Sequence, residues 1–184
     1  MTLKPSLLRF SARSQHVAVL AAVLTCGSML LGCSKEEKRE YTLPNSLCRT
    51  TVNPDLLSPF LPPGKKLSIH EVTPNGGTQR CNVSVDGKLA LVASQVWWEE
   101  GGSVAAVASV HAQVDNGEIT ADEKLLYSGT GAVGKAEGCT DASHPSQALF
   151  TVLQVFASGR DDASSMKQLA TDYTKQVKVS KNCG

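Results

Sequence analysis

Apolar and polar residues alternate most regularly between positions 81 and 93. Every second residue from 81 to 85 is apolar, Asp86-Gly87 follows, and apolar residues resume at Leu89. An Asp-Gly pair between two such runs is typical of a two-residue type I′ turn, which needs positive φ at both positions. The pattern therefore predicts a β-hairpin, and its second arm, 88–98, is long enough to be a central strand.

Shorter runs predict further strands. Leu67 and Ile69 alternate with polar residues, which indicates a strand over 65–72, and a glycine-rich bend separates short strands at 125–128 and 132–137. The run ALFTVLQVFA at 148–157 is apolar on both faces, which is typical of a buried strand.

Three segments predict helices. Asn53-Pro54-Asp55 combines a capping residue, a first-turn proline and an acid, so it opens a short helix. The segment 103–114 is predicted as a helix, although its valines leave a strand possible. A C-terminal helix begins after Asp161-Asp162, since apolar residues then recur at helical spacing. Its apolar stripe consists of Met166, Leu169, Ala170, Tyr173 and Val177.

The order of these elements decides the fold class. The chain lacks the strand–helix–strand alternation from which parallel sheets are built. We therefore predict an α+β fold, with an antiparallel sheet, helices on one face and two disulfides.

The N-terminal sequence differs from the rest of the chain. Lys4, Arg9 and Arg13 are the charged residues before position 35, and a mostly apolar run follows at 17–31. A basic start and an apolar run of this length are typical of a secretory signal peptide. The run is shorter than the roughly 20 residues that a membrane-spanning helix needs.

The sequence Leu30-Leu31-Gly32-Cys33 at the end of this run resembles the bacterial lipobox. The resemblance implies cleavage before Cys33 and transfer of a diacylglyceryl group to its thiol. Two acyl chains on one residue hold a protein at a membrane without a spanning helix. The alternative is an uncleaved N-terminal anchor, in which Cys33 is an ordinary cysteine.

Six consecutive charged residues stand at 35–40, within a segment that has few apolar residues. This composition is typical of solvated chain, and a charged partner-binding segment is the alternative. The predicted organisation is a signal peptide over 1–32, lipidated Cys33 with a flexible tether over 33–47, and one folded domain over 48–184.

Four cysteines remain after position 33: Cys48, Cys81, Cys139 and Cys183. An even number in an exported chain predicts two disulfides. Three pairings are possible, and we favour Cys48–Cys81 with Cys139–Cys183 because these close the smaller loops. No C-x2-C pair is present, so a zinc site is not expected.

The charge balance excludes one class of partner. The 184 residues contain 18 basic and 17 acidic side chains, and removal of 1–32 would leave a net charge of −2. A nearly neutral chain has no positive excess to neutralise phosphates, so we expect no nucleic-acid binding.

Catalytic motifs are scarce. Gly129–Gly134 matches G-x-G-x-x-G, but no helical pattern follows it, so we expect neither a dinucleotide nor another cofactor. His70, His111 and His144 lie far apart in sequence and form no metal-binding or nucleophile motif. The chain is therefore predicted not to be an enzyme and to hold no metal. A hydrolase site assembled around these histidines in space is the alternative.

Trp97-Trp98-Glu99 is the candidate ligand-binding segment. Neighbouring strand residues point to opposite faces, so one tryptophan is expected in the core and the other outside it unless something covers it. An exposed tryptophan beside carboxylates can stack on a sugar ring or anchor a protein partner. The alternative is that both rings are covered, one of them by the 103–114 segment.

The whole layout resembles the small lipoproteins of actinomycetes. The shared features are the lipobox, the charged tether, the 54–57 helix after the first disulfide cysteine, the Cys81-x-Val-x-Val strand and the late amphipathic helix. The resemblance implies a place on the outer face of the cell membrane and brings no catalytic residues. We therefore expect a monomeric, membrane-anchored extracytoplasmic lipoprotein that binds a protein or a cell-wall glycan. A cell-envelope hydrolase and a passive structural component are the alternatives.

Overall fold

Nine strands and three α-helices make up the described part of the chain, which is residues 38–112, 114–180 and 183 of a computed structural model. The strands are β1 (Ser46–Leu47), β2 (Thr50–Thr51), β3 (Leu67–Asn75), β4 (Thr78–Val85), β5 (Lys88–Glu99), β6 (Glu118–Ile119), β7 (Leu125–Tyr127), β8 (Gly131–Ala136) and β9 (Gln147–Val155). The helices are α1 (Pro54–Leu57), which continues into a 3₁₀ turn at Ser58–Phe60, α2 (Val104–His111) and α3 (Ala163–Lys178).

Seven of the strands form one antiparallel sheet in the order β3-β4-β5-β9-β8-β7-β6, and β1 pairs separately with β2. The predicted α+β class and antiparallel sheet are confirmed. The β4–β5 hairpin turns at Asp86 and Gly87 with φ of 50° and 78°, as a type I′ turn requires. Its second arm, β5, is the longest strand and lies inside the sheet.

The helices cover both faces of the sheet, so the prediction that they lie on one face is wrong. Successive residues of a strand face opposite sides. On β9, Leu149 and Leu153 belong to the core beneath α1 and α3, whereas Phe150 and Val152 belong to the core beneath α2. Because β9 is apolar on both faces, each face needs its own cover. The 103–114 segment supplies the second cover as a helix, and the Ser103 side chain caps it by accepting from Ala106 N at 3.1 Å.

Two disulfides close the domain with the predicted pairing, Cys48–Cys81 and Cys139–Cys183. The first joins the small β1–β2 hairpin to β4, and Cys48 occupies the turn of that hairpin with φ of 51°. The second joins the loop after β8 to the chain end beyond α3. The sequence pattern did not predict β1, β2 or β6, since strands of two residues leave no alternation.

The segment before β1 lies against the chain that follows α1. Arg39 Nη1 donates to Ser58 Oγ at 2.8 Å, and its Nη2 donates to the carbonyl oxygens of Ser58 and Leu61 at 2.9 and 2.8 Å. The Tyr41 hydroxyl donates to Pro62 O. The predicted tether is therefore held against the domain from Arg39 onward. Cys33 and the signal segment lie outside the described residues.

Candidate functional site

Trp97 and Trp98 point to opposite faces of β5, and each meets a histidine ring edge-on. The Trp97 and His144 ring centroids are 4.9 Å apart at 82°, and those of Trp98 and His111 are 5.4 Å apart at 89°. Both indoles are partly buried. The structure therefore places the two tryptophans in separate environments, Trp97 on the α3 face and Trp98 on the α2 face.

Trp97 lines a cleft of about 320 Å³ at the end of the sheet where β5 finishes. The β3–β4 turn forms one wall and the β8–β9 loop forms the other. The lining residues are Thr73, Gly76, Gly77, Thr78, Gln79, Gln95, Trp97, Asp141, Ser143 and His144. The cleft thus combines an indole with amide, hydroxyl, imidazole and carboxylate groups, and its size lies at the lower end of the roughly 300–1,000 Å³ typical of ligand sites.

The wall on the β3–β4 side is fixed by backbone hydrogen bonds. Trp97 N donates to Gly77 O at 2.8 Å, and Gly77 N donates to Asn75 Oδ1 at 3.2 Å. A Cβ on Gly77 would lie 3.5 Å from Trp97 O, which is ordinary contact. This turn therefore fixes the backbone of Trp97 relative to the rim of the cleft.

The opposite wall is a loop tied at several points. Asp141 Oδ1 accepts from Ser143 N at 2.7 Å, and His144 N donates to Asp141 O at 3.0 Å. Cys139, two residues earlier, is fixed by its disulfide to Cys183. Asp141 and His144 therefore line the cleft from a loop that the Cys139–Cys183 disulfide and its own hydrogen bonds restrain.

A buried polar group supports the floor. Gln95 is 7% exposed, and its Nε2 donates to Thr50 Oγ1 at 2.9 Å. The hydroxyl of Tyr173 on α3, which is fully buried, hydrogen-bonds with the side chains of Gln95 and Thr50. The amide of Gln95 is therefore held from below by β2 and α3, so it is pre-oriented at the cleft floor.

Trp98 lies outside this cleft. Its indole packs against α2 and against Gly102, where any side chain would collide with the indole ring. Burial lowers the pKa of His111 beneath its ordinary value, and the positive charge of Arg80 lowers it further. The Trp98 environment is thus a packing contact between β5 and α2, as the alternative interpretation of this ring predicts.

Glu99, the third candidate residue, is exposed at the last position of β5 and does not line the Trp97 cleft. Glu100 lines a neighbouring cleft of about 570 Å³, which shares Asp141 and His144 with the first. Neither this cleft nor a third of about 420 Å³ beside α2 is lined by tryptophan, tyrosine or phenylalanine. The Trp97 cleft is therefore the better candidate for a binding site.

The three histidines do not come together. His70 is exposed on β3, His111 packs on Trp98, and His144 packs on Trp97 across the sheet from it. His144 Nδ1 is buried with no hydrogen-bond partner among the described residues. In the described ranges, no group of three or more His, Cys, Asp or Glu side chains is arranged to hold a metal ion, and no helix is long and apolar enough to cross a membrane.

Sequence reasoning found Trp97 but missed its partners. The sequence gives no indication that His144 packs against the indole. Gln95, Asp141 and Thr78 reach the cleft from three separate segments, and their sequence neighbourhoods carry no common pattern. The one feature of the sequence that could have indicated His144 is its position, in a loop between a disulfide cysteine and a buried strand.

No family model matches the chain, and no curated protein or solved structure matches it either.

Proposed function

We propose that the chain is an exported, lipid-anchored, non-enzymatic binding module whose ligand occupies the Trp97 cleft. The signal-like N-terminus and the lipobox resemblance support export and attachment through Cys33. The two disulfides support an oxidising compartment, because such bonds persist outside the cytoplasm.

The observation that carries the binding proposal is the position of Trp97. A passive envelope component would need no cleft beside a tryptophan, and Trp98, which serves packing, lines none of the clefts described above. Trp97 is instead partly open, between two walls that are held by hydrogen bonds and a disulfide. A preformed cleft of this kind keeps the entropic cost of binding low.

The chemistry of the lining favours a cell-wall glycan over a protein segment. A sugar ring presents an apolar face that stacks on an indole and a rim of hydroxyls that bond to amides, hydroxyls and carboxylates. Trp97 supplies the first kind of group, and Gln95, Thr78 and Asp141 supply the second. The near-neutral chain adds no strong charge that would select a highly charged ligand.

The test is a titration of the full chain in detergent micelles with soluble peptidoglycan fragments released by a muramidase. Calorimetry and intrinsic tryptophan fluorescence report binding. The Trp97→Ala variant should lose saturable binding, and His144→Ala should weaken it. His70→Ala, which changes an exposed histidine outside the cleft, is the matched control and should bind as the parent chain does.

Two results would count against the glycan cleft. Unchanged affinity in Trp97→Ala would place the ligand elsewhere, and the absence of saturable binding by the parent chain would exclude glycan fragments as the ligand. The anchor is tested separately by metabolic labelling with an alkyne fatty acid. Cys33→Ala should lose the label, and retained label would show that acylation occurs at another residue.

A further inference from the structure

The chain enters the domain at one end of the sheet. Glu40 N donates to Gly64 O at 2.8 Å, and Arg39 pairs with Gly64 in a parallel bridge. Gly64 in turn lies against the β4–β5 turn, because a Cβ on it would collide with Val85 and Asp86. The entry point is therefore beside the β4–β5 turn, at the opposite end of β5 from Trp97.

The length of chain before this point is short. Arg39 follows Cys33 by six positions. At about 3.5 Å per residue they span at most roughly 21 Å. Trp97 stands nine residues along β5 from Lys88, which is about 30 Å at the usual strand rise. An acylated Cys33 would therefore hold the β4–β5 turn near the lipid surface and leave the Trp97 cleft farther out.

Two of the exposed large apolar side chains lie at this same end. Leu89 on β5 is 39% exposed, and Phe156, just beyond β9, is 51% exposed. Phe156 N donates to Ala90 O at 2.9 Å. Leu89 is the neighbour of Ala90 in the chain, so Leu89 and Phe156 lie on adjacent segments. Single exposed apolar residues need no explanation, but a neighbouring pair beside the membrane-proximal entry point forms a small apolar patch.

Basic side chains flank the patch. Lys65, Lys66 and Lys88 are all exposed beside the β4–β5 turn. Asp86 lies among them and keeps its negative charge, and its carboxylate accepts from Lys65 N and Lys66 N at 2.8 to 3.1 Å. Glu40 is also exposed at this end, as are Asp161 and Asp162 before α3. The three lysines are the groups at this end that can meet anionic headgroups, as in proteins that lie on a membrane.

We propose that the β4–β5 turn end, with Leu89, Phe156, Lys65, Lys66 and Lys88, is a membrane-contacting surface that rests on anionic lipid headgroups beside the anchor. This inference rests on the lipid-anchor part of the proposed function. The surface adds a second attachment to the acyl chains and fixes the direction of the domain. The Trp97 cleft then opens away from the lipid, toward ligands in the surrounding envelope.

The test places a fluorescent reporter on the surface of the full chain, reconstituted in vesicles of equimolar phosphatidylethanolamine and phosphatidylglycerol. Brominated acyl chains on the phosphatidylethanolamine quench tryptophans that lie close to the lipid. Phe156→Trp and, independently, Leu89→Trp should each lose fluorescence in brominated vesicles relative to unbrominated ones. The native Trp97 and Trp98 provide the background, which should show no loss. Val179→Trp, at a still more exposed position beyond α3 on the cleft end, is the control and should also show none.

Flotation of the vesicles separates the two ideas. A chain that floats with the vesicles while Phe156→Trp and Leu89→Trp stay unquenched would overturn the membrane-contacting surface and leave the anchor standing. Equal quenching at Val179→Trp would also overturn it, because the domain would then have no preferred direction. A chain that does not float would overturn both the anchor and the surface.

Discussion

The Oγ1 atoms of Thr151 on β9 and Thr174 on α3 lie 2.6 Å apart, directly above Gly134 on β8. A Cβ at position 134 would lie 2.9 Å from Thr151 Oγ1 and closer still to Thr174 Oγ1. Helix α3 can therefore reach β8 and bond to Thr151 because residue 134 has no side chain. The glycine-rich motif at 129–134 thus serves helix–sheet packing, and β8 rather than a helix follows its turn.

Gly134→Ala should destabilise the domain by about 1–3 kcal/mol, the usual cost of forcing an extra methyl into a packed core. Thr174→Ala should partly relieve this effect, so that the double variant is more stable than the sum of the single changes predicts. Urea unfolding followed by circular dichroism measures both. Gly101→Ala is the control, since no atom would lie within 4 Å of its Cβ. Equal stability of the Gly134→Ala and Gly101→Ala variants would contradict the packing explanation.

Removal of the Cys139–Cys183 disulfide should lower the free energy of unfolding by roughly 3–4 kcal/mol, because it closes a long loop in the unfolded chain. The Cys139→Ala/Cys183→Ala variant should also expose the C-terminal turn of α3 to amide exchange. The corresponding double variant at Cys48 and Cys81, with a separation of 33 residues against 44, should cost nearly as much. A loss below about 1 kcal/mol in either variant would mean that the loop is already restricted without the bond. Peptide mapping under non-reducing conditions checks the pairing itself.

The sequence predicted those elements that depend on the pattern of neighbouring residues. The β4–β5 hairpin follows from Asp86-Gly87 and the alternation around it, and α3 follows from its apolar stripe. The disulfide pairing follows from the preference for small loops. Each of these depends on a few neighbouring residues or on simple spacing, so the sequence contained enough information.

The arrangement of layers and the cleft depended on contacts that no single segment shows. The two apolar faces of β9 require cover on both sides of the sheet, but which helix covers which face depends on contacts between distant segments. His144 and Trp97 are 47 positions apart in sequence, and only the antiparallel pairing of β5 with β9 brings them together. The sequence does not indicate the contacts of Arg39 for the same reason, because its acceptors are the Ser58 hydroxyl and the carbonyl oxygens of Ser58 and Leu61, about 20 residues later.

The burial of His111 predicts an acid-sensitive stability. Its pKa is lowered first by burial and then by Arg80, so below about pH 6.5 the unfolded chain binds more protons than the folded chain. The contribution of His111 is therefore complete above about pH 6.5 and declines as the pH falls below that value. His111→Gln should show a shallower loss of stability between about pH 7 and pH 5. Urea midpoints across this range measure the slope, with the exposed His70→Gln as control. Parallel slopes in the parent chain and His111→Gln would refute the prediction.

Tyr173 predicts the opposite behaviour at alkaline pH. Burial raises its pKa, and hydrogen bonds with Gln95 and Thr50 offset part of that rise. The folded chain thus keeps the phenol proton to higher pH than the unfolded chain, whose tyrosines ionise near pH 10. Its contribution is complete below about pH 10 and is lost as the pH rises beyond it. Tyr173→Phe should be less stable at about pH 8 by about 0.5–1.5 kcal/mol, through the lost hydrogen bonds, yet its stability should decline less steeply above pH 10.

Tyr127→Phe, which removes a hydroxyl bonded to Glu118 Oε2 at 2.9 Å, is the control. If thermal unfolding from pH 8 to about pH 11 shows the same slope for Tyr173→Phe and the parent chain, the buried phenol is not the alkaline-sensitive group.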